Sequence, residues 1–103
     1  MSVSIEKLDG NRFIAKGVIC FENAESWAKA GEAALSGSSG LVQIDLSGIL
    51  QTSSVGLSVL LSWMRAAKAK GMQLNFTGMP AAMFDIARVS GLDDVLPIQR
   101  AAR

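Results

Sequence analysis

Two hydrophobic periods alternate along this chain. Short stretches in which apolar and polar residues take turns are followed by longer ones in which apolar residues recur every three or four positions, a pattern that predicts a small α/β domain. Val3, Ile5 and Leu8 alternate with polar neighbours, Asp9-Gly10-Asn11 supplies turn chemistry, and residues 12–20 run apolar with Gly17 among them. An Asp-Gly step between two such stretches predicts a β-hairpin. Asn23 then stands where an N-cap is expected, ahead of a helix whose Ala24, Trp27, Ala28, Gly31, Ala34 and Leu35 share one face, with Trp27 as core anchor. Ser36-Gly37-Ser38-Ser39-Gly40 ends that helix as a plain loop, because it follows a helix, precedes a strand and carries no phosphate-binding lysine.

Residues 41–46 predict an interior strand, followed by a short polar loop and a helix that starts at Ser53 or Ser54 and runs to Lys70, with Gly71 at its C-cap. Residues 72–77 predict another strand. A strand, helix and strand in succession form a βαβ unit, so these two strands are expected to be parallel with a right-handed crossover. Gly78-Met79-Pro80 leads into a further helix with Met83, Phe84 and Ala87 inward and Ser90-Gly91 at its end. Residues 92–98 predict a closing segment in which Pro97 limits pairing, and residues 99–103 a frayed tail. The expected fold is a single domain over residues 1–103, a small mixed β-sheet with helices mainly on one face, in the order β-β-α-β-α-β-α.

Composition narrows the function more than the fold. Half of the 103 residues are hydrophobic and 18 % are charged, which suits one packed core. Ten basic residues against nine acidic ones, without a basic cluster, argue against a nucleic-acid partner. Cys20, between Ile19 and Phe21, is expected to be a buried structural thiol without an internal disulfide, which fits a reducing compartment. The N-terminal stretch lacks the basic run and apolar block of a signal peptide, and no apolar run approaches the ~20 residues that span a bilayer. A cytoplasmic protein without direct membrane insertion is the expectation. With no histidine, one cysteine and scattered carboxylates, the chain offers neither the usual general base nor metal-ligand spacing, so no metal and no cofactor are expected. Asp93-Asp94 are adjacent and suit a terminal turn better than acid/base work. Nucleophile-elbow, Walker and dinucleotide motifs are missing, and an enzyme is not expected.

The candidate working surface is the start of the central helix. Thr52, Ser53 and Ser54 crowd its first turn with hydroxyls; one serine serves as N-cap, and the group stands at the positive end of the helix dipole. The helix carries two apolar stripes. Leu57, Leu60, Leu61, Met64 and Ala67 form the core-facing one, and Val55, Val59, Trp63 and Ala66 recur on a neighbouring face. Two readings of the second stripe are open. Either the helix is broadly buried in its own domain, or Val59 and Trp63 lie at the surface as anchors for another protein.

Ile44-Asp45-Leu46-Ser47, the interval before Ser54, and Gly56-Leu57-Ser58-Val59-Leu60-Leu61 resemble the STAS domain family, named for sulphate transporters and anti-sigma-factor antagonists. The resemblance follows element order over the whole chain and is diagnostic over residues 41–78. It implies a non-catalytic protein-binding module whose loop and following helix contact a nucleotide-binding partner. Antagonists in the family carry Asp-Ser-Ser-Gly-Leu, with the second serine phosphorylated by a kinase that is also the anti-sigma factor. Aligned on Gly56-Leu57, this chain has Ser53 at the aspartate, Ser54 at the first serine and Val55 at the phosphoacceptor. The MlaB branch, the STAS subunit of the Mla phospholipid-transport ABC complex, has Asp-Thr-Gly-Gly-Leu and a leucine-rich run. Its threonine falls on Ser54 and its aspartate on Ser53, and Asp94-Val95-Leu96-Pro97 also looks like that branch's end.

That branch implies an accessory subunit, peripheral to the inner membrane, that binds the transporter's ATPase subunit and supports assembly and activity in maintaining outer-membrane lipid asymmetry. The expected partner-binding residues are Gln51, Thr52, Ser53, Ser54, Val55, Val59 and Trp63. The alternative is an anti-sigma-factor antagonist bound by a kinase and phosphorylated at Ser54 or Ser53.

Overall fold

A computed structural model describes residues 3–98, so the expectation of a frayed 99–103 tail lies outside the described residues. Strands β1 (Val3–Asp9) and β2 (Arg12–Val18) lead through a 3-10 turn at Phe21–Asn23 into α1 (Ala24–Ser36). Then come β3 (Leu41–Gln51), α2 (Ser54–Ala69), β4 (Gln73–Thr77) and α3 (Ala81–Val89). The strands lie in the order β1-β2-β3-β4, with the hairpin pair antiparallel and the next two pairs parallel. Two crossovers, β2-α1-β3 and β3-α2-β4, therefore step the same way along the sheet. Right-handed crossovers in one direction put their helices on one face. The strands alternate accordingly: Val42, Ile44, Leu46, Leu74 and Phe76 are buried beneath the helices, whereas Gln43, Asp45, Asn75 and Thr77 are half-buried on the other side.

Where α1 meets α2, the chain seals in both of its tryptophans. Trp27 and Trp63 are each 0 % exposed. The Trp63 ring lies across Gly31 of α1, where a Cβ would collide with the indole, so only a glycine permits the approach. The Trp63 Nε1–H donates to the Trp27 carbonyl at 3.0 Å, which satisfies the one polar group that burial would otherwise leave unpaired. Its other side tilts against Phe76, with ring centroids 6.3 Å apart at 48°. Val59 is buried beside it, and Val55 and Ala66 are half-buried against the same core. The expectation that Val59 and Trp63 stand at the surface is thus corrected. The reason is position: α2 is packed by α1 and by α3 above a sheet, so it needs apolar residues on more than one face.

Other departures are local. β3 does not stop near Leu46 but continues to Gln51, leaving only Thr52 and Ser53 between it and α2. Asn23 does not cap α1 with its side chain. Instead its Oδ1 accepts from the Cys20 amide at 2.8 Å and its Nδ2 donates to the Val18 carbonyl at 2.8 Å, binding the end of β2 to the start of the helix. Cys20 is free as expected but half-buried, because it sits on the rim where the strand ends. In α3, Met83 and Ala87 are buried while Phe84 is half-buried. Pro97 pairs despite lacking a donor, since its carbonyl accepts from the Phe76 amide at 2.8 Å and Ile98 bridges Phe76 in parallel.

Candidate functional site

The route from β3 to α2 is shaped by two irregularities in β3. Between the pairs Ile14–Asp45 and Lys16–Gly48, and again between Gly17–Ile49 and Val18–Gln51, β3 holds one residue more than β2. A bulge of this kind shifts which side chains face the core. Val42, Ile44 and Leu46 set an even-numbered core face, yet beyond the first bulge Ile49 is buried and Leu50 is 82 % exposed. The strand thus reaches the rim with a leucine in solvent.

At the rim the chain turns sharply. Ser53 is extended (φ −126°, ψ −166°) and caps α2, its Oγ accepting from the Val55 amide at 3.3 Å and its carbonyl from the Gly56 amide at 2.9 Å. Thr52 folds back: its hydroxyl donates to the Ser53 carbonyl at 3.2 Å and lies against Gly56, where any Cβ would overlap it. Gly56 thereby fixes the shape of the turn. Gln51, Ser53 and Ser54 are exposed, and Thr52 and Val55 are half-buried. Of the seven residues expected at the interface, these five come together at one end of α2, while Val59 and Trp63 lie in the core. The helix dipole makes this end electropositive, and its first turn carries no acidic side chain to offset that.

Sequence reasoning missed two surface residues at the same rim. Leu50 is one, and Phe21, 84 % exposed on the 3-10 turn after β2, is the other. The break in alternation after Leu46 was the available signal for the first; for Phe21 it was an aromatic beside a glutamate just past a strand's end.

The chemistry on offer is that of a surface. Among the described residues no polar or charged side chain is buried, and no group of His, Cys, Asp and Glu has the make-up to hold a metal ion. No described helix is long and apolar enough to cross a membrane. A shallow depression of about 260 Å³ lies on the helix-free side of the sheet near Arg12 and Asp45, and one of about 270 Å³ lies by Met64 and Met72; neither reaches the turn.

No curated protein matches the sequence. Solved structures do match the fold. The anti-sigma factor antagonist SpoIIAA in its unphosphorylated form superposes with a TM-score of 0.73 at 13 % identity, over 99 % of this chain and 90 % of that one. An anti-sigma factor antagonist from Mycobacterium paratuberculosis gives 0.71 at 21 % identity, over 97 % and 86 %. The phosphorylated form of the Bacillus cell fate determinant SpoIIAA gives 0.67 at 15 % identity, over 99 % and 93 %. At such identities the likeness shows the fold, a mixed four-stranded sheet with three helices. The family follows from the sequence itself: the model described as "Mlab, STAS domain" matches residues 12–98, and this chain belongs to that STAS family.

Proposed function

We propose that this protein is a non-catalytic accessory subunit of a phospholipid-transporting ABC complex, binding the cytoplasmic ATPase subunit through the turn Gln51, Thr52, Ser53, Ser54 and Val55. The observation that carries the proposal is the contrast along α2: Val59 and Trp63 are sealed in the domain's own core, whereas the serine-bearing start of the helix stands open to solvent. A surface held rigid by an N-cap and a Thr52–Gly56 contact loses little entropy when a partner lands on it. The family model's Mlab description supports the transporter setting, as does Val55, a residue that cannot accept phosphate, at the antagonists' phosphoacceptor position. Maintenance of outer-membrane lipid asymmetry is then the role of the assembled transporter, which this subunit supports by binding.

The test is co-purification with the ATPase subunit of the same organism's phospholipid transporter. Ser54→Arg places a long cation on an exposed helix start, leaves the fold intact and abolishes capture; capture equal to wild type contradicts the proposal. Trp63→Ala is not a fair probe of the interface, because that side chain is core.

A second reading, an anti-sigma-factor antagonist switched by phosphorylation, draws on the likeness to SpoIIAA and on the exposure of Ser53 and Ser54. Phosphate would add about −1.5 to −2 charges at the positive end of α2. Intact-mass measurement after incubation with cell extract and ATP separates the two: a stoichiometric phosphate on this turn favours the switch.

A further inference from the structure

We infer that the docking surface extends across the sheet rim to Phe21 and Leu50, and that the partner meets it with an apolar socket rimmed by lysine or arginine. The inference rests on the docking reading above and adds both the anchors and the chemistry of the partner.

Three observations carry it. First, the exposed pair sits on neighbouring strand ends: Ile19 N–H donates to the Gln51 carbonyl at 3.0 Å, so the segment bearing Phe21 leaves the sheet beside the segment bearing Leu50 and the serine turn. Both lie at the carboxyl ends of parallel strands, Leu50 within the last residues of β3 and Phe21 just beyond β2, where open α/β sheets place their binding sites. Second, neither side chain is exposed through looseness. The Phe21 turn is held by Asn23 bonding to both Cys20 and Val18, and the Trp27 Nε1–H donates to the same Val18 carbonyl at 2.9 Å. Leu50 is turned outward by the bulge before Gly48 that buries Ile49. A large apolar side chain fixed in solvent on a rigid support has the character of an interface anchor.

Third, the unpaired side-chain charge next to Phe21 has one sign. Between Lys29 and Arg65 the chain has no lysine or arginine, nor has it any between Lys16 and Lys29. Glu22, next to Phe21, makes no ion pair among the described residues. Glu25 is taken up by Lys29 at 3.1 Å, and Lys16 by Glu6 at 3.3 Å. The free side-chain charge beside Phe21 is thus a carboxylate, complementary to a basic rim.

The experiment measures affinity for the purified ATPase subunit with the full chain and four variants: Phe21→Ser, Leu50→Ser, Glu22→Lys and Ser54→Arg. Phe21→Ser and Leu50→Ser are each expected to weaken binding by about tenfold or more, as truncated anchors do, with unchanged thermal melting. Glu22→Lys is expected to slow association and flatten its dependence on salt. If Ser54→Arg abolishes binding while the Phe21 and Leu50 variants bind as wild type, this inference is overturned and the docking turn stands. If wild type itself does not bind, both fall. A change in the self-association of the Phe21 or Leu50 variants, with ATPase affinity intact, assigns the rim to a second copy and also overturns the inference.

Discussion

Trp63 and Leu50 are both large apolar residues, and the structure sends them in opposite directions. At the α1–α2 seam Gly31 removes a side chain so that an indole can be swallowed whole, its N–H satisfied by a backbone carbonyl. At the sheet rim the bulge before Gly48 takes a leucine that alternation would bury and hands it to solvent. An apolar stripe does not by itself announce an interface; what stands opposite it decides. A helix between two others needs its second stripe for itself, and of the expected interface residues only those at its exposed serine-bearing start remain open to a partner.

Trp63→Ala tests the sealed half of that contrast with the largest effect. Removing a buried indole leaves a cavity and strands the Trp27 carbonyl's partner position, so a stability loss of about 3–5 kcal/mol is expected in denaturant unfolding. A loss below roughly 0.5 kcal/mol would mark the site as surface after all. Gly31→Leu attacks the same seam from α1 and is expected to cost about 1–3 kcal/mol through overpacking. Its effect should not add to that of Trp63→Ala in the double variant, since the leucine then fills space the indole vacated. Additive losses would mean that the two positions do not face each other.

The rim responds more weakly. Ser53→Ala removes the N-cap and is expected to cost about 1 kcal/mol, with Ser53→Asp retaining most of the stability. Equal stability of all three proteins would show that Ser53 does not cap. Phe21→Ser and Leu50→Ser are expected to change stability by less than about 0.5 kcal/mol, because the side chains touch little. A larger loss in either would place that residue in the core.

Most of the architecture was legible because each element's period was unambiguous. The Asp9-Gly10 hairpin, the parallel β3-α2-β4 unit and the serine cap on α2 all rest on local chemistry. The length of β3 was not, because Ser47-Gly48 has the composition of a turn, and only the bulged pairing with β2 shows that the strand runs through it. Asn23 has the identity of a cap, but two backbone groups at the end of β2 compete for its amide and win. The seven expected interface residues divide in two. The polar half, Gln51 to Val55, depends on the helix start and comes together there. The apolar half depended on which neighbours flank α2, and that is a property of sheet order. Gly31 on the apolar face of one helix, with a tryptophan on the second stripe of the next, was the sequence signal for a tight seam.

Docking through the serine-bearing rim predicts a local footprint on the domain. Amide hydrogen exchange of the chain, free and bound to the purified ATPase subunit, tests it most directly. Binding is expected to slow exchange in residues 50–58 and around Phe21, and to leave the α1–α2 seam unchanged. Slowed exchange confined to the helix-free face of the sheet or to α3, with the rim exchanging as in the free protein, would contradict it.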